Sequence, residues 1–291
     1  MIKEATVERN RRNGIPMRVL GATGARVTVI GVGGYHIGQG NADLGVRIIR
    51  KAIDEGVNFL DNAWCYNDGD SERIMGRALQ GGYRDEIFLM TKNHGRDADT
   101  FREQLEESLR RLETDYIDLL QFHAINEEGE PERIFSEGAI EEAVKARDEG
   151  KIRYIGFTGH RWPELFEKML GYDFAWDAVQ MPINLLDAHF RSFAGQILPI
   201  LWERGIGVIG MKSLSGGWLL KTDVEVSDAI SYVLSQPIDT LVTGIDSMEV
   251  LEQNLEVVRS WEPMSEERQA ELLDRVSAMA HDGALEKYKT E

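Results

Sequence analysis

The stretch Gly56-Val57-Asn58-Phe59-Leu60-Asp61 is a short apolar run that follows a glycine and ends in a carboxylate. Comparable runs at residues 87–92 and 119–123 end in Lys92 and His123, so that the three terminal residues lie 31 positions apart. Short apolar runs that alternate with segments of helical period are typical of parallel strands joined by helices. The repeat therefore predicts three consecutive strands, each of which ends in an ionisable side chain.

The same alternation extends over most of the chain and predicts eight strands. They span residues 29–32, 57–60, 87–90, 116–122, 152–157, 178–181, 206–209 and 240–242. Eight strand–helix units fit a closed (β/α)8 TIM barrel better than an open sheet, although periodicity alone also allows an open doubly wound sheet. Without a Pro/Ser-rich linker, residues 1–291 are interpreted as a single domain.

Local signals predict the elements around these strands. A β-hairpin is expected at the N-terminal end, where residues 17–20 and 26–29 flank Gly21-Ala22-Thr23-Gly24. Helices are expected at 44–55, 100–112, 138–149, 193–204 and 265–279. Thr100 and Glu103 form a capping-box pattern at the start of one of them. Gly56, Gly150 and Gly205 mark helix ends.

Composition restricts the classes of function. The 291 residues include 33 Lys and Arg against 50 Asp and Glu, a net charge of −17 that argues against nucleic-acid binding. Neither a secretory signal nor a membrane-spanning run is found, so we expect a cytoplasmic protein, monomeric or a simple homo-oligomer. Cys65 is the only cysteine and is interpreted as a small buried filler. No short His-x-x-x-His or His-Glu-x-x-His spacing occurs, so no zinc site is predicted.

The polar strand ends define a candidate catalytic site. Active sites of parallel barrels lie at the carboxyl ends of the strands, so Asp61, Lys92 and His123 would share one rim. Tyr66 follows in the turn after the second predicted strand and could fold back over that rim. A lysine ammonium favours the phenolate of a nearby tyrosine, and a buried lysine needs a carboxylate partner. With His123 donating a hydrogen bond to a carbonyl oxygen, the set could protonate that oxygen during reduction.

At these residues the sequence resembles the aldo-keto reductases, a family of (β/α)8 barrels that use nicotinamide cofactors. The segments 56–66 and 69–72 resemble the family's Asp-Thr-Ala-x-x-Tyr-Gly-x-Ser-Glu signature, with Asn62 in place of the threonine. The resemblance extends over nearly the whole chain and implies NAD(P)H-dependent reduction of an aldehyde or ketone by direct hydride transfer. It implies Tyr66 as general acid, Lys92 and Asp61 as the residues that tune it, and His123 as the group that orients the carbonyl.

The resemblance also implies a set of cofactor-binding residues, with departures from the family. Where the family has a Ser-Asn pair for the carboxamide, this chain has Thr158 and Gly159, followed by His160. Met211 stands where an aromatic residue often stacks on the nicotinamide. The implied set comprises Gly34, Tyr35, Thr158, Gly159, His160, Gln180, Met211, Lys212, Ser213, Leu214, Gly216, Gly244, Asp246 and Asn254.

The adenosine loop bears on the choice between NADH and NADPH. Members that bind NADPH carry Lys or Arg for the 2′-phosphate, whereas the matching positions here hold Gly244 and Val250, and Asp246 adds a negative charge. This pattern favours NADH slightly, although Lys212 or Lys221 could still supply a cation.

Two other functions remain open from sequence alone, namely a cofactor-binding regulatory subunit of the same fold and an unrelated barrel hydrolase or isomerase. Trp64, His94 and Tyr35 are either walls of the substrate pocket or packing residues. Because the tail after Glu262 is short, we expect a pocket that is not closed by a C-terminal loop.

Overall fold

Eleven strands are found in residues 11–290, the part of the chain that the computed structural model describes. They are β1 (Arg11–Arg12), β2 (Ile15–Val19), β3 (Arg26–Thr28), β4 (Ile30–Gly33), β5 (Phe59–Asp61), β6 (Phe88–Asn93), β7 (Ile117–Phe122), β8 (Ile152–Thr158), β9 (Ala178–Pro182), β10 (Gly207–Met211) and β11 (Thr240–Gly244). The last eight are parallel and close into a barrel in the order β10-β11-β4-β5-β6-β7-β8-β9. The predicted (β/α)8 barrel is thus confirmed, and the open sheet is excluded by the hydrogen-bonded pair β4 and β11.

Helices follow the barrel strands and pack around them. They are α1 (Gly34–Ile37), α2 (Ala42–Asp54), α3 (Asp70–Leu79), α4 (Ala98–Leu112), α5 (Glu130–Ser136), α6 (Ala139–Asp148), α7 (Pro163–Gly171), α8 (Phe193–Gln196), α9 (Leu198–Arg204), α10 (Val226–Leu234), α11 (Met248–Ser260), α12 (Glu266–Ala280) and α13 (Lys287–Thr290). Among residues 11–290, none of these helices has the length and apolar character needed to cross a bilayer.

The N-terminal strands close the lower end of the barrel. Strands β2 and β3 form the predicted antiparallel hairpin, and β1 adds a third strand to it. Leu20 and Val27 from this hairpin are buried in one cluster with Phe59, Phe88 and other side chains of the barrel strands. Since this cluster fills the barrel near the amino ends of its strands, the open end of the barrel is the opposite one, where the strands finish.

Two local predictions were wrong. Helix α4 begins at Ala98, and its N-cap is Asp97, whose carboxylate accepts the backbone N–H of Thr100 at 2.9 Å. The Thr100 hydroxyl donates to the same carboxylate, so this residue lies inside the helix. The predicted helix at 193–204 is divided into α8 and α9 at Ile197, two residues before a proline that cannot donate to the preceding turn.

Candidate active site

Three ionisable side chains meet at the carboxyl ends of neighbouring barrel strands. Asp61 ends β5, Lys92 lies near the end of β6, and His123 directly follows β7. All three are buried, with Lys92 only 1% exposed. Their meeting follows from the 31-residue repeat, which places one such residue at the same height on each strand.

A left-handed turn brings Tyr66 back over this rim. Asn67, Asp68 and Gly69 all have positive φ angles, of 52°, 55° and 85°. The φ of Gly69 is one that residues with a side chain rarely adopt, and a Cβ atom there would also lie 2.3 Å from the guanidinium carbon of Arg111, so glycine is favoured. Asn67 further fixes the turn by donating to the backbone oxygen of Tyr35 at 2.8 Å.

Lys92 connects the carboxylate to the phenol. Its Nζ donates to the carboxylate of Asp61, to the backbone oxygen of Asn62 at 2.7 Å and to the Tyr66 hydroxyl at 3.3 Å. Burial lowers the pKa of Lys92, but Asp61 and Tyr66 raise it more, so that the net shift is upward. The group at the centre of the site is therefore a fixed ammonium ion.

The net pKa shift of Tyr66 is opposite to the one expected from its lysine neighbour alone. Burial raises the pKa of Tyr66 above its ordinary value, and Lys92 opposes this shift without reversing it. The phenol consequently carries its proton at neutral pH. Lys92 favours the phenolate only in the relative sense, by making it less unfavourable than burial alone would.

His123 faces Tyr66 as a neutral imidazole. The two rings lie edge to face with their centroids 5.6 Å apart. Burial holds the pKa of His123 well below its usual value, and the charge of Lys92 acts in the same direction. A neutral imidazole has one N–H donor and one acceptor, which suits it to orient a carbonyl oxygen.

Two buried polar atoms beside this site have no hydrogen-bond partner among the described residues. They are Thr158 Oγ1 and Gln180 Oε1, which belong to neighbouring strands and are paired in the sheet register. Buried polar groups without partners are rare and are usually satisfied by a ligand or water. Both residues belong to the set implied for the nicotinamide carboxamide, and an amide supplies the donor that both oxygens lack. The residues present thus fit this group.

The other implied carboxamide position has no room for a side chain. At Gly159 a Cβ atom would lie 2.6 Å from the backbone oxygen of Ile125 and 2.8 Å from the Phe166 ring. An asparagine cannot replace this glycine without a backbone shift. His160, the next residue, lies at the same end of the barrel, where burial lowers its pKa to about 3.

The segment after β10 contains the next group of implied cofactor residues. Met211 ends the strand and is buried, and Lys212 follows with a positive φ of 62°. Ser213 is buried, whereas Gly216 is exposed on the outer side of the turn. Leu214 packs partly against the main core.

The C-terminal tail packs against residues at this end of the barrel. The Tyr288 hydroxyl accepts from Asn184 Nδ2 at 2.9 Å and donates to Glu286 at 2.7 Å. Lys289 is fully buried and donates to the carboxylates of Asp187 at 2.7 Å and Glu286 at 3.1 Å. The short tail reaches the rim because this buried ion-pair cluster holds it there.

The predicted adenosine loop lies beside His36. Gly244 and Asp246 are exposed, and the ring of His36 lies where a Cβ atom on Gly244 would be. Asp246 and Lys212 act on the pKa of His36 in opposite directions, which places one charge of each sign near this ring. Asn254 is buried, with its amide donating to Thr243 at 3.3 Å.

The interpretation of Cys65 as a buried filler was wrong. Cys65 is exposed, and its sulfur lies 3.1 Å from His94 Nε2 and 3.6 Å from His123 Nδ1. His94 therefore belongs to the site rather than to distant packing. The Nε1 of Trp64 donates to Glu107 on helix α4 at 2.7 Å.

Gln121 is a polar residue of the barrel interior that the sequence analysis missed. It lies on β7 two residues before His123, is completely buried, and has no partner for either amide atom among residues 11–290. Alternation along β7 gives it the same inward direction as His123, which was the available signal.

Comparisons with known proteins agree with this fold. The model of the aldo/keto reductase family matches residues 29–231. L-galactose dehydrogenase of Arabidopsis thaliana is 33% identical over 226 residues, which cover 70% of this chain and 67% of that protein. Aldo-keto reductase YhdN of Bacillus subtilis is 32% identical over 216 residues, covering 68% of this chain and 61% of that one.

A solved structure shows the same fold at lower sequence identity. The holo form of aldo-keto reductase AKR11C1 from Bacillus halodurans superposes with a TM-score of 0.76 at 24% identity, over 89% of this chain and 96% of that one. On the family match, this chain belongs to the aldo/keto reductase family of oxidoreductases.

Proposed function

We propose that this protein reduces an aldehyde or ketone to the alcohol with a reduced nicotinamide cofactor, with Tyr66 as the general acid. The observation that supports this most directly is the position of the Tyr66 hydroxyl, 3.3 Å from the Lys92 ammonium and beside the neutral ring of His123. A small carbonyl compound is the substrate class that such a proton donor and hydrogen-bond donor would recognise.

Thr158 and Gln180, with their unpartnered buried oxygens, would hold the carboxamide of the cofactor. Residues 211–216 would contact its nicotinamide and phosphate portions, and the loop around Asp246 its adenosine. When bound there, the reduced nicotinamide supplies a hydride to the carbonyl carbon.

Side chains of this protein carry out the proton transfer. Tyr66 gives its hydroxyl proton to the carbonyl oxygen as negative charge develops on that oxygen, and this produces the alcohol and leaves a phenolate. The nearby Lys92 ammonium stabilises the phenolate, and Asp61 keeps the ammonium charged and in position. His123 donates a hydrogen bond that orients the carbonyl oxygen toward Tyr66.

The test is a panel of aldehydes and ketones assayed with NADH and NADPH by loss of the reduced-nicotinamide absorbance. We expect turnover by the wild type and a fall of at least about 10²-fold in Tyr66→Phe, with cofactor binding retained. Tyr83→Phe is the matched control, because the Tyr83 hydroxyl donates to the carboxylate of Asp54 at the exposed end of helix α2.

Two results would contradict the proposal. Turnover of Tyr66→Phe close to the wild-type rate would exclude Tyr66 as the proton donor. Cofactor binding without turnover of any carbonyl compound would favour a regulatory subunit of the same fold.

A further inference from the structure

Three atoms of types that bind metals converge beside Tyr66 and Lys92. Cys65 Sγ lies 3.1 Å from His94 Nε2 and 3.6 Å from His123 Nδ1, and the two ring nitrogens lie 2.9 Å apart. Cys65 lies after β5, His94 follows β6 and His123 follows β7. Successive members of this set are 29 residues apart in the sequence. The barrel repeat that aligns the catalytic candidates thus aligns a second set of donors.

The distances between these atoms are close to those of a zinc site. Tetrahedral zinc with Zn–S of about 2.3 Å and Zn–N of about 2.05 Å places ligand nitrogens about 3.4 Å apart and sulfur about 3.6 Å from nitrogen. The observed separations need to widen by about half an ångström at most to match these values. Side-chain rotation alone covers such a change.

The chemistry of the donors also suits a borderline-soft cation. One sulfur and two imidazoles select zinc-class metals over magnesium or calcium, which prefer oxygen. Each imidazole presents one ring nitrogen to the cluster, and these ligand atoms and the Cys65 sulfur all lie within 4.8 Å of one another. Binding releases the thiol proton of Cys65 to solvent, so the net charge of the site rises by one. The negative charges of Glu72 and Glu130 stabilise this added positive charge, whereas the positive charges of Lys92 and Arg96 repel it.

The backbone around the ligands is fixed before any metal arrives. The guanidinium of Arg96 donates to the backbone oxygens of His94 at 3.2 Å and His123 at 2.5 Å. Gln104 accepts the backbone N–H of His94 at 2.8 Å. Exposure of Cys65 gives an ion direct access from solvent. Preorganised ligands of this kind lower the cost of assembling a site.

We propose that Cys65 Sγ, His94 Nε2 and His123 Nδ1 together bind one divalent cation of the zinc class, with a fourth position open to solvent. This site differs from the proposed reductase chemistry, which needs no metal, although the two share His123. The test therefore uses neither a carbonyl substrate nor a nicotinamide cofactor, so that its failure and the failure of the reductase proposal can be distinguished.

The experiment is a titration of the chelator-treated, reduced protein with Co²⁺, followed by competition with Zn²⁺. We expect one equivalent of Co²⁺ to produce a thiolate-to-cobalt charge-transfer band together with tetrahedral ligand-field bands, and Zn²⁺ to abolish both. Cys65→Ser should lose the charge-transfer band, and His94→Asn should raise the Zn²⁺ Kd by at least about tenfold. His281→Asn is the matched control, since His281 is exposed and bonds only locally to Ala278.

Three results would overturn the proposal: no charge-transfer band in the wild type, the same band in Cys65→Ser, or equal Kd values in His94→Asn and His281→Asn. Circular dichroism of each variant verifies the fold. The wild-type titration tests the site even if a variant does not fold.

Discussion

The ammonium of Lys92 lies 3.3 Å from the hydroxyl of Tyr66, while the carboxylate of Asp61 holds the same ammonium from the neighbouring strand. A lysine has three N–H donors, and the third reaches the backbone oxygen of Asn62. All three N–H donors of Lys92 therefore have acceptors, and these contacts hold the ammonium next to the Tyr66 hydroxyl.

Replacing this cation should affect stability and activity together. Lys92→Met leaves the Asp61 carboxylate buried without a positively charged partner, which we expect to lower the free energy of unfolding by about 3 kcal/mol. Carbonyl reduction should also slow, because the phenolate formed at Tyr66 loses its stabilising charge. Urea unfolding and steady-state kinetics measure the two effects.

The double variant Asp61→Asn, Lys92→Met separates the two causes. Removing both charges should restore part of the lost stability without restoring activity. An equal loss of stability in the single and double variants would show that the unpaired carboxylate is not the cause.

Cofactor preference should depend on Asp246. Its exposed carboxylate lies on the proposed adenosine loop and would repel a 2′-phosphate by about 1 kcal/mol or more, where 1.4 kcal/mol is tenfold in affinity. We expect NADH to bind at least as tightly as NADPH in the wild type, and Asp246→Ser to shift the preference toward NADPH. Fluorescence titration with both cofactors measures this.

Asp115→Ser is the control for that experiment, because Asp115 is also exposed but precedes strand β7 at the opposite end of the barrel. A wild-type Kd more than tenfold lower for NADPH would refute the preference. Lys212, which lies near the same loop, would then be the next candidate for the phosphate partner.

The buried lysine of the tail should contribute strongly to stability. Lys289→Met removes the ammonium that pairs with the carboxylates of Asp187 and Glu286, so the free energy of unfolding should fall by about 3 kcal/mol. Lys145→Met, which removes an exposed ion pair at 3.7 Å, should cost less than about 1 kcal/mol. Comparable losses in the two variants would contradict the structural role of the tail cluster.

One carboxylate should make stability depend on mildly acidic pH. Burial raises the pKa of Asp239 from 3.8 to about 6, although Val208 and Gly21 donate backbone N–H groups to it. Between these values the folded protein binds more protons than the unfolded chain, so this group adds stability as the pH falls through about 6. Between about pH 7.5 and pH 5 the gain is about 1 kcal/mol.

Asp239→Asn should lack this gain, because an amide does not titrate. Urea unfolding of the wild type and the variant at both pH values measures it, and the difference between the two proteins cancels the contribution of other groups. A difference that stays the same at both pH values would show that Asp239 titrates normally in the folded protein.

The barrel and the meeting of Asp61, Lys92 and His123 could be predicted because both follow from one periodicity. Each strand–helix unit has nearly the same length, so equivalent residues reach the same rim. The same arithmetic applied to Cys65, His94 and His123 would have revealed the second cluster. Short metal-binding spacings within one helix do not reveal it, because the three residues follow three different strands.

Other features depend on contacts that no local pattern encodes. Asp97 and Thr100 are both suitable N-cap residues for helix α4, and the local sequence does not decide between them. The position of the tail depends on the ion pair between Lys289 and Asp187, which lies 102 residues earlier in the chain. The net pKa shift of Tyr66 depends on how completely the fold buries it.

The pairing of β4 with β11 has a consequence for synthesis of the protein. The first and last barrel strands are hydrogen-bonded along Leu241–Ile30 and Val242–Gly31, and Arg18 reaches the backbone oxygens of Leu234 and Ile238. A nascent chain that has left the ribosome only through β10 therefore exposes two unpaired strand edges, which are templates for aggregation. Those edges stay unpaired until β11 emerges and pairs with both β10 and β4.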